Sequence, residues 1–169
     1  MIEGRVAITV RKAKAADAEH LVGIFRDAWL NAYTGIIPTL HLSRLVQRRD
    51  KAWWRASIRT ERHFLVLEVA GRIVGYATCG IARSVQRPCG EIYELYVTPV
   101  YQGLGLGQHL FEACRHRLDL DSLDGLVVWA LADNQEAGDF YWRRGGRPVG
   151  STTEKFSGKV LEKIAYSWG

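Results

Sequence analysis

The sequence predicts a mixed α/β fold: a central, mostly antiparallel sheet flanked by helices. Three observations predict it. Short runs rich in β-branched and aromatic residues (63–70, 73–82, 91–97, 126–131) are interleaved with longer stretches whose apolar residues recur at helical spacing. Two of those runs, 63–70 and 73–82, are separated only by a tight turn at Gly71-Arg72, which makes them an antiparallel hairpin. Finally, 47% of the 169 residues are apolar and six are Trp, enough for a packed core and a composition that argues against disorder.

In chain order, 6–10 reads as a short strand. A helix starts at or near Asp17, since Leu21, Ile24, Phe25, Ala28 and Trp29 share one face. The stretch 33–38 breaks it: Gly35 allows a left-handed turn, and Pro38 suits the start of the next helix. That second helical region reaches about Ile58, as one piece or two. After the hairpin, 83–90 is a polar loop containing Pro88. The run 91–97 mixes Ile, Tyr, Leu and Val with two carboxylates, and Pro99 has no amide hydrogen to extend a ladder. Leu110, Phe111, Cys114 and Leu118 place a helix over 104–118, and 119–125 connects it onward. The nearly continuous apolar run 126–131 is a strand buried on both faces. Asn134 caps a helix with Glu136 in its first turn and Gly145-Gly146 at its end. The runs 149–153 and 160–166 close the chain as an antiparallel pair around Ser157-Gly158. No repeat, low-complexity tract or linker interrupts this order, so 1–169 reads as one domain.

Composition excludes several functions. No apolar run approaches the roughly 18 residues of a membrane span, and the N-terminus has no apolar signal-peptide core. Residues 2–5 spell a protease-linker sequence and carry no weight for the fold. Cys79, Cys89 and Cys114 are odd in number and lack C-x-x-C spacing, as expected of reduced thiols in a cytoplasmic protein. His20, His41, His63, His109 and His116 are scattered, so no metal is expected. Of the net charge of +5, residues 1–64 supply the excess, with 12 Lys/Arg against 6 Asp/Glu. Arg44, Arg48, Lys51, Arg55, Arg59 and Arg62 read as a solvated helix face opposite Leu45, Trp53, Trp54 and Ile58, rather than as a nucleic-acid stripe.

The stretch from Glu91 to Leu110 carries the functional signal. A strand feeding a Gly-rich turn into a helix N-terminus points unpaired amides at one spot, and the helix dipole favours an anion there. The glycines fall as G-x-G-x-G at 103, 105 and 107, which is not a dinucleotide fingerprint, and Gly107-Gln108-His109 does not end a Walker loop. What remains, Val97-Thr98-Pro99-Val100-Tyr101-Gln102-Gly103-Leu104-Gly105-Leu106-Gly107, resembles the coenzyme A loop of the GNAT superfamily of N-acetyltransferases, V-x-P-x-x-[QR]-x-x-G-x-[GA], at every defining position. A second GNAT-like motif is Asn134-x-x-Ala137-x-x-Phe140-Tyr141-x-x-x-Gly145. Its one departure is Gly146, where many members of the family have an aromatic residue.

The resemblance implies the GNAT sheet, with its fourth and fifth strands splayed apart, and acetyl-CoA as co-substrate. It implies that the cofactor arm adds to the strand edge at Leu95, Tyr96 and Val97. The phosphates would lie on Gln102, Gly103, Leu104, Gly105, Leu106, Gly107 and Gln108, with Asn134 and Tyr141 near the splay. A phenol, with a reference pKa of about 10, can protonate a departing thiolate, so Tyr141 is the expected acid. The amide near Val97 is the expected oxyanion donor. Glu91 or Glu94, directly or through water, is the expected base; the alternative position on the fifth strand is occupied by Trp129. Trp29 and Tyr33 are expected to line the acceptor pocket. Transfer in this family is direct, without an acyl-enzyme. The expected function is acetyl transfer to a primary amine on a small molecule, with no nucleic-acid or membrane partner and a homodimer left open. A protein or peptide acceptor and a non-catalytic CoA sensor are the alternatives.

Overall fold

The computed structural model describes residues 6–83 and 88–169; the tetrapeptide 2–5 and residues 84–87 of the polar loop lie outside them. The chain runs β1 (Ile8–Lys12), α1 (Ala18–Tyr33), α2 (Thr39–Arg48), α3 (Lys51–Thr60), β2 (His63–Val69), β3 (Arg72–Ile81), β4 (Gly90–Val97), α4 (Leu106–Leu120), β5 (Leu126–Leu131), α5 (Gln135–Arg143), β6 (Arg147–Phe156) and β7 (Lys159–Trp168). Seven strands form one sheet in the order β1-β2-β3-β4-β5-β7-β6. Every neighbouring pair is antiparallel except β4–β5.

The expected elements are present, with shifted ends. β1 starts two residues later and runs through Arg11 and the exposed Lys12; Arg11 is ion-paired, holding Glu68 at 2.8 Å and Asp17 at 2.8 Å. The hairpin turn is Ala70-Gly71, both at positive φ, as a two-residue turn that matches strand twist requires. The second helical region is two helices, because Asp50 turns its carboxylate onto the amide of Trp53 at 2.9 Å and starts α3 anew. β6 and β7 are longer than expected, with a register shift between Pro148 and Gly150; Pro148 is tolerated because β6 is an edge.

Strand periodicity divides the core in two. Leu65 and Leu67 face one way, against Leu110, Phe111, Cys114 and Leu118 of α4. Phe64 and Val66 face the other way, against Leu21, Ile24 and Phe25 of α1 and Trp54 of α3. Trp54 is fully buried, and truncating such a side chain to Ala costs about 3–5 kcal/mol.

Two irregularities position the site. Between β3 and β4 the register slips: Thr78 pairs with Glu94 and Cys79 with Ile92, leaving Tyr93 as an extra residue, a β-bulge. And β4 pairs with β5 only at Gly90, Glu91 and Ile92, after which the two strands part. Their backbone polar groups beyond that point have no partner in each other.

Candidate active site

The parting of β4 and β5 opens into a cleft of about 450 Å³. Leu95, Tyr96 and Val97 form one wall, the loop from Gln102 to Gly105 and the first turn of α4 a second, and α5 with Asn134 and Tyr141 a third. Ala28, Asn31 and Ala32 of α1 complete it. Of the expected cofactor residues, two stand apart from these walls. Leu104 is solvent-exposed, and Gln108 turns away to hydrogen-bond Glu112 at 2.9 Å.

The loop is shaped for a close anionic ligand. Gly103 and Gly105 sit at φ of 78° and 75°, a left-handed conformation that costs any other residue strain, and the space beside both is empty. Gly105 occupies the N-cap of α4 and offers no side chain to its first-turn amides, so those donors face the cleft uncapped. Gly107 is small for another reason: a Cβ there would lie 3.1 Å from the ring of Phe140 on α5. Gln102 staples the loop to the strand, donating from Nε2 to the carbonyl of Val97 at 2.8 Å. The space beside Gly146 is filled by Trp168, whose ring lies 2.5 Å from where a Cβ would stand. An aromatic group therefore occupies that region from the end of β7 instead of from position 146.

On α5, Asn134 accepts from the amide of Ala137 at 3.3 Å and starts the helix. Tyr141 is 6% exposed and lines the cleft, yet its hydroxyl has no hydrogen-bond partner among the described residues. Burial pushes its phenol well above the usual range, so it stays protonated at neutral pH. Asn134, Ala137, Tyr141 and Arg144 fall at helical spacing on the cleft side, and extending that spacing by one step from Tyr141 would have identified Arg144. Arg144 stacks on Phe140 at 3.6 Å and donates to its carbonyl at 2.9 Å, while its Nε is buried without a partner among the described residues. Burial, helped by the neighbouring charge of Arg143, draws its guanidinium below its ordinary value.

The bulge at Tyr93 puts Glu91 and Glu94 on the same face of the sheet, where plain alternation over three residues would have set them on opposite faces. Their surroundings differ. Glu91 is 8% exposed, accepts from the backbone amide of Arg83 at 3.1 Å and forms no ion pair with a described residue. Burial lifts its carboxyl above the ordinary value, against the pull of that amide and of Arg83 and Lys163 further off. Glu94 is fully engaged: Arg49 holds both its oxygens, at 2.8 and 3.1 Å, and Tyr76 donates at 2.7 Å.

Trp29 and Tyr33 belong to an aromatic cluster on that same face. Their rings are 4.7 Å apart, and the Tyr33 hydroxyl meets that of Tyr96 at 2.8 Å. Burial raises both phenols. The Trp29 indole nitrogen is buried and has no hydrogen-bond partner among the described residues. Further back along β4 lies a second pocket of about 340 Å³, between α3 and the β3–β4 surface, with Arg49, Glu61, Arg83 and Glu94 on its walls. Sequence reading missed Arg49, Glu61 and Arg83. Nothing in the pattern separates Arg49 from the neighbouring cations, which remain exposed while it turns inward beneath the α2–α3 corner.

Comparison with known proteins adds a family. The model of the Acetyltransferase (GNAT) family matches residues 24–146. A mycothiol acetyltransferase of Nocardia farcinica is 33% identical over 104 residues, 60% of this chain and 33% of that protein. An uncharacterized N-acetyltransferase of Methanocaldococcus jannaschii is 27% identical over 124 residues, 72% of this chain and 54% of that protein. The chain thus spans between a third and about half the length of these curated relatives. Among solved structures, the PaiA N-acetyltransferase of Thermoplasma acidophilum in complex with coenzyme A superposes with a TM-score of 0.77 at 18% identity, over 94% of this chain and 98% of that one. YncA, a putative acetyltransferase of Salmonella typhimurium with its cofactor acetyl-CoA, superposes with a TM-score of 0.70 at 23% identity, over 96% of this chain and 93% of that one. At such identities these two likenesses speak to the fold.

Proposed function

The chain belongs to the GNAT family of acetyltransferases, and from that premise we propose that it moves an acetyl group from acetyl-CoA to a primary amine by direct attack. The observation that carries this reading is the single cleft in which three things meet: the parted edge of β4, the uncapped N-terminus of α4 and the free hydroxyl of Tyr141.

The residues present fit coenzyme A. The left-handed Gly103 and Gly105 leave open space where a pyrophosphate can approach the first-turn amides of α4. Arg144, with its unpartnered Nε, stands at the same cleft as a cation for a phosphate. The unpaired edge from Tyr93 to Val97 offers amides and carbonyls to an extended arm, as a missing strand would. Bound there, acetyl-CoA supplies an activated carbonyl and a thiol leaving group.

The protein's own groups then divide the remaining work. The backbone amide near Val97 can hold the carbonyl oxygen. Tyr141, protonated and without a hydrogen-bond partner among the described residues, can give its proton to the departing sulfur. Glu91 accepts from the Arg83 amide and has no ion pair among the described residues, and burial makes it a stronger base; it lines neither cavity, so it can take the ammonium's proton through water. Glu94 has its oxygens committed to Arg49 and Tyr76 and acts as a fixed charge instead.

Incubation with acetyl-CoA and a panel of primary amines, read by release of free thiol, tests the reading. Amine-dependent release is the expected result. Binding of acetyl-CoA with no release on any amine would point to a sensor, and release that depends on peptide N-termini would move the acceptor to polypeptides.

A further inference from the structure

We propose that Arg83 is a positioning residue: its guanidinium, seated on the ring of Tyr93, keeps its backbone amide on Glu91 and so aims the carboxylate that takes the amine's proton. This rests on the acetyl-transfer reading, which makes Glu91 the base.

The sheet leaves the amide of Arg83 to be held by something else. β3 ends at Ile81, and the loop beyond it is closed by the amide of Ala82 on the carbonyl of Cys89, at 2.8 Å. Arg83 is the next residue. Its amide has no ladder partner and donates at 3.1 Å to Oε1 of Glu91 instead. A backbone donor on a carboxylate favours the charged form and fixes its orientation. How firmly it does so depends on what fixes the amide.

The side chain of Arg83 supplies the anchor. Its guanidinium lies 3.9 Å from the centre of the Tyr93 ring and 3.7 Å from Glu61 at the end of α3. The side chain is 65% exposed and Arg83 belongs to none of the core clusters, so burial is not what holds it. The ring beneath it is itself fixed, because the Tyr93 hydroxyl donates to the carbonyl of Ile81. Gly80 makes room for that ring. Gly80 pairs with Glu91 in the ladder, and a Cβ there would lie 2.9 Å from the Tyr93 hydroxyl. The extra residue of the bulge thus lies across the position opposite Glu91 and carries the cation whose amide holds Glu91.

The other groups near Glu91 are turned elsewhere. Among the described residues, the charged or titratable groups that act on it or on its neighbour Tyr93 are Arg83, Lys163 of β7 and Glu61 of α3. Lys163 is drawn to Glu154 at 3.4 Å, and Glu61 meets Arg83. On β5 the register partner of Glu91 is the apolar Val127.

NMR of the whole protein, labelled at its glutamate carboxyl carbons, follows Glu91 through pH, and Glu91→Gln identifies its signal. The midpoint should rise by about half a pH unit or more in Arg83→Met and in Tyr93→Leu alike. Tyr93→Phe keeps the ring and should keep the wild-type midpoint. At neutral pH, kcat should fall roughly tenfold in the first two variants with KM little changed, as for a misaimed group. In a Glu91→Gln background, Arg83→Met should cost nothing further in kcat, which a general loss of stability would not reproduce. A rise in Arg83→Met alone would leave only its charge acting through space and would overturn the proposal. So would an unmoved midpoint in both, a rise in Tyr93→Phe as large as in Tyr93→Leu, or kcat losses of Arg83→Met and Glu91→Gln that simply add. The titration needs no turnover. Shifted midpoints in a protein that releases no thiol would keep the hold of Arg83 on Glu91 and defeat the transfer reading, whereas release with unmoved midpoints would do the reverse.

Discussion

Arg49 grips both carboxylate oxygens of Glu94, at 2.8 and 3.1 Å, from the corner between α2 and α3. The pair is mostly shielded from water, and its two members lie 45 residues apart in sequence. A shielded ion pair is seldom a net source of stability, because desolvation offsets the attraction, but stripping one partner leaves a stranded charge. It ties the helical layer to the strand that carries the site.

Arg49→Met should therefore lower stability by about 1–3 kcal/mol, the cost of an unsatisfied polar group. The double variant Arg49→Met/Glu94→Gln should recover part of that loss, since no stranded carboxylate remains. Denaturant melts of both variants and of wild type give the comparison. Equal losses in the single and double variants would mean that packing of Arg49 on Phe25 and Trp53 matters more than the charge.

The two carboxylates of β4 separate kinetically. Glu91→Gln removes the group able to take the amine's proton, so kcat should fall most at neutral pH and recover partly at high pH, where free amine is abundant. Glu94→Gln removes a fixed charge and should raise KM with kcat little changed. Rate profiles from pH 6 to 9 check both. Wild-type constants in both variants across that range would assign the proton to solvent.

Glu91 also bears on stability. Burial raises its carboxyl in the folded state above the unfolded value of about 4.3. As pH rises from below that value, the unfolded chain ionises first, so the folded state loses stability relative to it through this window. Glu91→Gln keeps an acceptor for the Arg83 amide and removes the charge. The variant should melt above wild type at pH 7, and the two should converge below about pH 4.

Much of this was legible in sequence, for identifiable reasons. The run of β-branched and aromatic residues over 63–70, ended by the turn at Gly71, marks a strand, and Gly103, Gly105 and Gly107 mark the loop. The common face of Glu91 and Glu94 was not derivable from the period of the strand, because it depends on the bulge at Tyr93, and a bulge leaves no mark in hydrophobic alternation. Arg49 sits among Arg44, Arg48, Lys51 and Arg55, and only the packing of α3 on α1 singles it out. The different uses of the three glycines also needed coordinates: two answer to backbone conformation, and Gly107 answers to the ring of Phe140.

Tyr141→Phe deletes a hydroxyl that has no hydrogen-bond partner among the described residues, so the fold and its melting temperature should be unchanged. Binding of acetyl-CoA should persist, while kcat should drop by about 10²–10⁴, the usual worth of a positioned acid. An undiminished kcat would transfer the proton's source to water.

The central claim, that the parted strands and the glycine loop form a coenzyme A site, is tested most directly by the melting temperature of the protein across an acetyl-CoA titration. A ligand of the native state stabilises by mass action, about 2.7 kcal/mol at a hundred times its Kd. The account predicts a rise in wild type that continues with the logarithm of concentration. It predicts none in Gly105→Val, where a β-branched side chain would both strain a residue held at φ of 75° and fill the space beside the α4 amides. A wild-type melting temperature that stays flat up to millimolar acetyl-CoA would contradict it.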